Sequence, residues 1–213
     1  MKAVEIVHLL IALVVIAALM IAPVMFGRST PTLSEAIVFA FIILLVTVAA
    51  KKAMALMLES EVEHQLWTLS QWGLHKQDHF KKPLPIGILL PVIVSLFSFG
   101  AVKLMAVLTY ETTPKKTRAV RAFGTHTYSS MTDWHNALIG AAGITSVLLL
   151  ALFAYFLPYN AEPLARLAIF YACSNMLPIS KLDGIQILFG SRVLWVTLAV
   201  ITIIFTGYAL TVV

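Results

Sequence analysis

Long apolar runs separated by shorter polar connections dominate the chain. Most of the runs approach or exceed the roughly 18 to 20 residues that span a bilayer. The six runs cover residues 6–26, 36–50, 85–108, 137–157, 164–178 and 193–213. They lack sustained alternation of apolar and polar positions, and lipid offers no partners for unpaired peptide groups. The pattern therefore predicts membrane helices rather than a barrel.

We predict an all-α, multi-pass integral membrane protein with about six transmembrane or re-entrant helices, forming a single domain over residues 1–213 and placed in the cell membrane. The first run is longer than the apolar part of a secretory signal, about 7 to 15 residues, which predicts a retained helix within residues 1–30. The third run contains two prolines and two glycines, which predicts a broken or partly re-entrant segment.

Two polar connections separate these runs. The first, residues 59–82, mixes acidic groups and histidines with Trp67 and Trp72, a composition typical of the membrane interface. It allows a short interfacial β segment near residues 61–80. The second ends in Thr132 and Asp133 directly before an apolar run, and either side chain is suited to cap the helix that follows.

Composition supports a lipid partner. Hydrophobic residues make up 60% of the chain and charged residues 12%, against about 25% charged residues in a soluble domain. The net charge of +5 comes from basic connections, which membrane proteins carry in excess on the cytoplasmic side, so a nucleic-acid partner is not implied. If all six runs cross, the basic connections fall on opposite faces and orientation stays open.

Lys51 and Lys52 directly follow an apolar run of fifteen residues. A lysine at the bilayer centre costs about 2.5 to 3.5 kcal/mol unless water or a partner compensates it. Either the two ammonium groups reach the interface while their stems stay in the lipid, or they pair with a carboxylate inside the bundle.

The C-terminal third carries the most specific motif. Asn175, Pro178, Leu182, Asp183 and Gly184 match an N-x-x-P-x-x-x-L-D-G pattern. This pattern resembles the signature of the intramembrane site-2 protease family, zinc metalloproteases, and its surroundings are similar to archaeal members. The resemblance touches roughly residues 36–205, with the N-terminal helix as an addition. It implies that Asp183 stands where the family has its third zinc ligand.

The same resemblance exposes a missing half of the site. Zinc hydrolysis needs two imidazoles one helical turn apart and a neighbouring glutamate, the arrangement of His-Glu-x-x-His. Such a motif is not present in the sequence, and the family spacing would place it near residues 47–51. We therefore predict a degenerate site built from Asn175, Pro178, Asp183, Gly184 and Lys51, with no bound metal and no catalytic residue. Lys51 would replace the second imidazole and pair with Asp183.

Three functions follow from these observations. The first is a catalytically inactive, site-2-protease-like membrane protein, a pseudoprotease that binds a partner membrane protein or transmembrane segment as an assembly subunit. The second is an active zinc protease whose metal would be held by His75, His79 and Asp183, since the two histidines are four residues apart. The third is a small transporter or channel-like subunit, indicated by the intramembrane charges.

Overall fold

The computed structural model describes residues 3–23, 31–71, 79–100, 103–115, 131–157 and 161–211. In these ranges the chain is mostly helical and carries four short strands. The helices are α1 (Ala3–Ile21), α2 (Leu33–Met57), α3 (Ile86–Phe97), α4 (Asp133–Phe156), α5 (Glu162–Met176), α6 (Asp183–Gly190) and α7 (Arg192–Thr211). The strands are β1 (Ser60–Leu66), β2 (Leu69–Gln71), β3 (His79–Leu84) and β4 (Leu108–Pro114).

Four helices, α1, α2, α4 and α7, are long and apolar enough to cross a membrane. This confirms the mostly helical architecture with helices of spanning length. The shorter α3 and α5 lie in the other two apolar runs, and α6 lies between the last two runs. Two long helices begin at predictable caps: Thr32 and Glu35 form a reciprocal capping box at α2, and the Thr132 side chain accepts from the His135 amide at α4.

Two small antiparallel sheets correct the all-α prediction. The β segment expected near residues 61–80 is present as β1, β2 and β3, and β2 pairs with β3. β1 pairs instead with β4, so that Val62 lies opposite Thr112. We did not predict β4, because its partner lies more than forty residues away and strand pairing over such a distance leaves no local pattern.

The third apolar run leaves the sheet and returns to it. Its α3 helix ends at Phe97. Both ends of the run are bonded to Trp67, whose carbonyl accepts from the Gly87 amide at 2.8 Å and whose amide donates to the Val107 carbonyl at 2.9 Å. The described ends of the run therefore lie next to each other at Trp67. The re-entrant path and the alternative in which all six runs cross both stay predictions.

The described ends of both polar connections therefore lie on one side of the bundle. The first begins at the end of α2 and includes β1, while the second begins at β4 beside β1 and ends at the start of α4. The Tyr110 hydroxyl of β4 donates to the Asn136 carbonyl in the first turn of α4 at 2.7 Å. The side that carries the β1–β4 pair is called the sheet side below.

α4 is the central helix and packs against α2, α5 and α6. Its buried face is rich in small residues, which allow neighbouring backbones to approach closely. α5 starts next to the end of α4, and Gly190 at the end of α6 meets the Asp133 carbonyl at the start of α4. Together, α5 and α6 thus run the length of α4, interrupted at residues 177–182.

Candidate functional site

The side chain of Lys51 ends on Asp183 inside the bundle. The distance from Lys51 Nζ to Asp183 Oδ2 is 2.6 Å, and the two side chains are only 3% and 2% exposed. The predicted pairing of these two groups is confirmed. The alternative, in which Lys51 extends to water at the interface, is wrong because the α2 helix continues to Met57 and keeps the lysine within the bundle.

The position of Lys51 follows from the helical period of α2. Thr47 lies one turn earlier, and both side chains are buried on the same face. The lysine stem then passes along α4 at Gly143, where an added Cβ would be 2.5 Å from Lys51 Cε. The absence of a side chain at Gly143 therefore gives the lysine its path to Asp183.

Asp183 is held at the first turn of α6, which begins directly after the N-cap residue Leu182. A carboxylate is favoured there by the free amide groups and the positive end of the helix dipole. Gly184 lets this helix start lie against the end of α5, since a Cβ at Gly184 would overlap the Met176 carbonyl. The Asp-Gly pair thus has a clear packing reason in this chain.

Tyr110 of β4 completes the surroundings of the ammonium group. Its ring centroid lies 4.4 Å from Lys51 Nζ, close enough for a cation–π interaction. Burial raises the pKa of Tyr110 well above its usual value, so the phenol stays neutral at pH 7. Gln186 of α6 donates to the Tyr110 carbonyl at 3.2 Å. No pattern in the sequence indicated this contact, because β4 was not predicted.

A second buried ion pair lies beside the first. Glu5 Oε1 of α1 is 2.8 Å from Lys52 Nζ and 3.1 Å from His64 Nδ1 of β1. Burial lowers the pKa of His64 to about 4, the positive charge of Lys51 adds to this effect, and Glu5 opposes it. At pH 7 His64 is therefore neutral and donates from Nδ1 to Glu5.

Together, these groups form two ion pairs with no net charge. Lys51 balances Asp183, and Lys52 balances Glu5. Two buried atoms of the cluster, Asp183 Oδ1 and His64 Nε2, have no hydrogen-bond partner within the described part of the chain. Glu5 and His64 were not predicted as site residues, although Glu5 was visible as a carboxylate at the start of an apolar run.

The residues around Asp183 do not fit a catalytic zinc ion. Such a site needs about three protein ligands with nitrogen, sulfur or carboxylate oxygen atoms. Here the Lys51 ammonium group binds Asp183 Oδ2, and Thr47, one turn before Lys51, offers no imidazole. Across the described ranges, no group of three or more His, Cys, Asp and Glu side chains is placed to hold a metal ion.

The proposed ligands from the first connection cannot be placed. His75 lies outside the described residues, and the structure describes only the backbone of His79, in β3. The zinc set of His75, His79 and Asp183 therefore stays a prediction.

Two other motif residues have local roles. Asn175 is buried, and its side-chain amide donates to the Tyr171 carbonyl one turn earlier in α5 at 2.9 Å. Pro178 is exposed in the segment between α5 and α6, where its missing amide hydrogen and fixed φ favour the end of the helix.

A groove of about 540 Å³ lies next to the ion pair on the sheet side. It runs between β4, the start of α4 and α6. Because β4 pairs with β1 along one edge, its other edge is turned toward the groove. The lining includes Thr112, Asn136, Lys181, Gln186 and Phe189. The groove therefore combines an apolar wall with polar side chains and a strand edge, which suits a peptide segment.

Comparisons of this chain with protein-family models, with curated proteins and with solved structures find no match.

Proposed function

We propose that this chain is an integral membrane protein, resembling the site-2 protease family, that has no protease activity and serves as a partner-binding or assembly subunit. The observation that carries the proposal is the Lys51–Asp183 ion pair at 2.6 Å. A lysine ammonium at this place supplies the positive charge that a buried carboxylate requires. It cannot act as a Lewis acid or generate a hydroxide nucleophile.

The neighbouring residues support an inactive site. A metal-dependent protease needs a general base beside its bound water. Thr47 and Val48 stand where the family spacing expects the first imidazole and the glutamate, and neither side chain titrates. The cluster is therefore suited to hold α2, α6 and β4 together rather than to hydrolyse a peptide.

The groove supports a partner-binding role. Strand edges bind extended peptides through main-chain hydrogen bonds, and adjacent pockets select their side chains. The free edge of β4 lies in the groove with Gln186 and Lys181 nearby. Phe189 is 77% exposed and adds an apolar contact at the groove wall. A partner segment laid along β4 would meet all of these groups.

Photo-crosslinking tests this role directly. A photoreactive amino acid at Phe189 should give a discrete crosslinked adduct in cells, because the side chain points into the occupied groove. The matched control is Phe153 of α4, which is 69% exposed and does not line the groove. Partner binding in the groove is refuted when adducts are equally frequent at both positions, or when Phe189 gives none.

The buried charges also have a structural explanation that requires no transport path. Lys51 and Lys52 each lie within 3 Å of a carboxylate. Paired charges of this kind commonly connect helices inside a bundle. We therefore favour the assembly subunit over the transporter or channel-like alternative.

We further propose that the sheet side faces the cytoplasm. The connections at residues 58–85 and 115–132 carry three and four Lys or Arg residues, and both begin and end on the sheet side. On the other side, residues 22–32 carry only Arg28 and residues 157–161 carry none. Such an excess in short connections marks the cytoplasmic face.

Cysteine labelling in intact cells tests this orientation. With Cys173 replaced by Ser, the variant Ser34→Cys should react with a membrane-impermeant maleimide from outside. The variant Glu61→Cys, on β1, should react only after the cells are permeabilised. Both residues are exposed in the structure. The opposite pattern of labelling would reverse the proposed orientation.

A further inference from the structure

A second groove opens at the end of the bundle opposite the sheet. It has a volume of about 290 Å³ and lies between the end of α4, the first turns of α5 and the end of α7. Leu152, Phe156 and Ile204 line it and remain largely exposed. The hydroxyl groups of Tyr155 and Tyr208 are hydrogen-bonded to each other at its rim. Paired tyrosines at a helix end are typical of a membrane interface.

Two opposite charges line this otherwise apolar groove. Glu162 is the first residue of α5, and Arg166 follows one helical turn later. Because α5 enters the bundle from this end, the Cα atom of Glu162 lies outermost and that of Arg166 about 6 Å deeper along the helix axis. Among the described residues, no ion pair joins the two side chains to each other or to a third group. Within these residues, neither charge is neutralised by an ion pair.

We infer that this groove binds a phospholipid with an amine-bearing zwitterionic headgroup, of the phosphatidylethanolamine type. The order of charges from the surface inward is negative, positive and then apolar, along Glu162, Arg166 and Ile169. The lipid presents the complementary order of ammonium, phosphate and acyl chain. Arginine binds phosphate through paired, charge-assisted hydrogen bonds, and the carboxylate accepts hydrogen bonds from the primary ammonium.

The two charges also predict which lipids bind less well. A phosphatidylglycerol headgroup offers its phosphate to Arg166 but no cation to Glu162. A phosphatidylcholine headgroup carries a cation without hydrogen-bond donors, so its contact with Glu162 is weaker. Selectivity for the primary amine therefore depends on Glu162, whereas Arg166 contributes to the binding of all three lipids.

Lipid titration of the purified, delipidated full-length protein tests this site. Dioleoyl phosphatidylethanolamine in mixed micelles should raise the thermal unfolding midpoint at a lipid fraction roughly tenfold lower than phosphatidylglycerol or phosphatidylcholine requires. The reason is that one additional charge-assisted hydrogen bond is worth roughly tenfold in affinity. The variant Glu162→Gln should lose this preference, whereas Arg166→Gln should weaken the stabilisation by all three lipids. The matched control Arg192→Gln removes the same charge at the exposed start of α7 and should keep the preference.

Exchanging the two charged residues tests the order of the charges while the net charge of the groove stays the same. The double variant Glu162→Arg with Arg166→Glu keeps the net charge but reverses the order of the two groups, so it should lose the preference for the ethanolamine lipid. Equal stabilisation by all three lipids, stronger stabilisation by the glycerol lipid, or no stabilisation by any lipid overturns the inference. Glu162 is exposed, so its variant decides the outcome even when Arg166→Gln fails to fold.

Discussion

The variant Lys51→Met should lose roughly 3 to 5 kcal/mol of unfolding free energy, the usual cost of removing one partner from a buried ion pair. Methionine keeps much of the length of the lysine stem along Gly143. It leaves the Asp183 carboxylate inside the bundle without its cation at 2.6 Å. Unfolding in mixed micelles, followed by circular dichroism, measures the loss.

A double variant separates the ion pair from simple packing. Adding Asp183→Asn to Lys51→Met removes both charges and should recover most of the lost stability, because no charge is then buried. The matched control is Lys181→Met, whose ion pair with Glu111 spans 3.6 Å between side chains that are 64% and 56% exposed. Exposed pairs of this kind contribute about 0 to 1 kcal/mol. A loss for Lys51→Met as small as that of the control would contradict the account.

Rebuilding the missing motif should convert the site into a metal centre. The triple variant Thr47→His, Val48→Glu and Lys51→His places two imidazoles on the buried face of α2 that already points at Asp183. The distance from the histidine Cα atom through the imidazole and a zinc bond of about 2.0 to 2.1 Å is close to the distance from Cα to Nζ in an extended lysine. The metal would therefore take the place of the ammonium group. We expect close to one zinc ion per chain, measured by elemental analysis.

The control for this reconstruction removes the third ligand. With Asp183→Asn added, two imidazoles remain and zinc binding should fall well below one ion per chain, since such sites need about three protein ligands. If the triple variant binds no more zinc than the parent protein, residues 47–51 do not occupy the position that the family resemblance assigns to them.

Much of the architecture could be predicted because lipid restricts the possible structures. Helices of spanning length follow from hydropathy, and a buried lysine in an apolar run needs a carboxylate nearby. The pairing of Lys51 with Asp183 was predicted from the family resemblance, which places the two residues where the family has two ligands of one metal ion. The capping of α4 by Thr132 was visible for a similar reason, since a helix start leaves its amide groups unpaired.

The remainder depends on contacts between distant parts of the chain. The β1–β4 pair joins segments that flank the third apolar run, and Tyr110 reaches Lys51 only through that pairing. Glu5 lies in α1, which was predicted as an addition to the core, yet it bonds to Lys52 and His64. Hydrophobic periodicity describes which face of a segment is apolar and carries no information about such partners.

The zinc content of the wild-type protein tests the central claim most directly. Protein expressed with added zinc and purified without chelators should contain far less than one zinc ion per chain, because the Lys51 ammonium group already neutralises the Asp183 carboxylate. One tightly bound zinc ion per chain that disappears in Asp183→Asn would show that this carboxylate is a metal ligand, and would contradict the account.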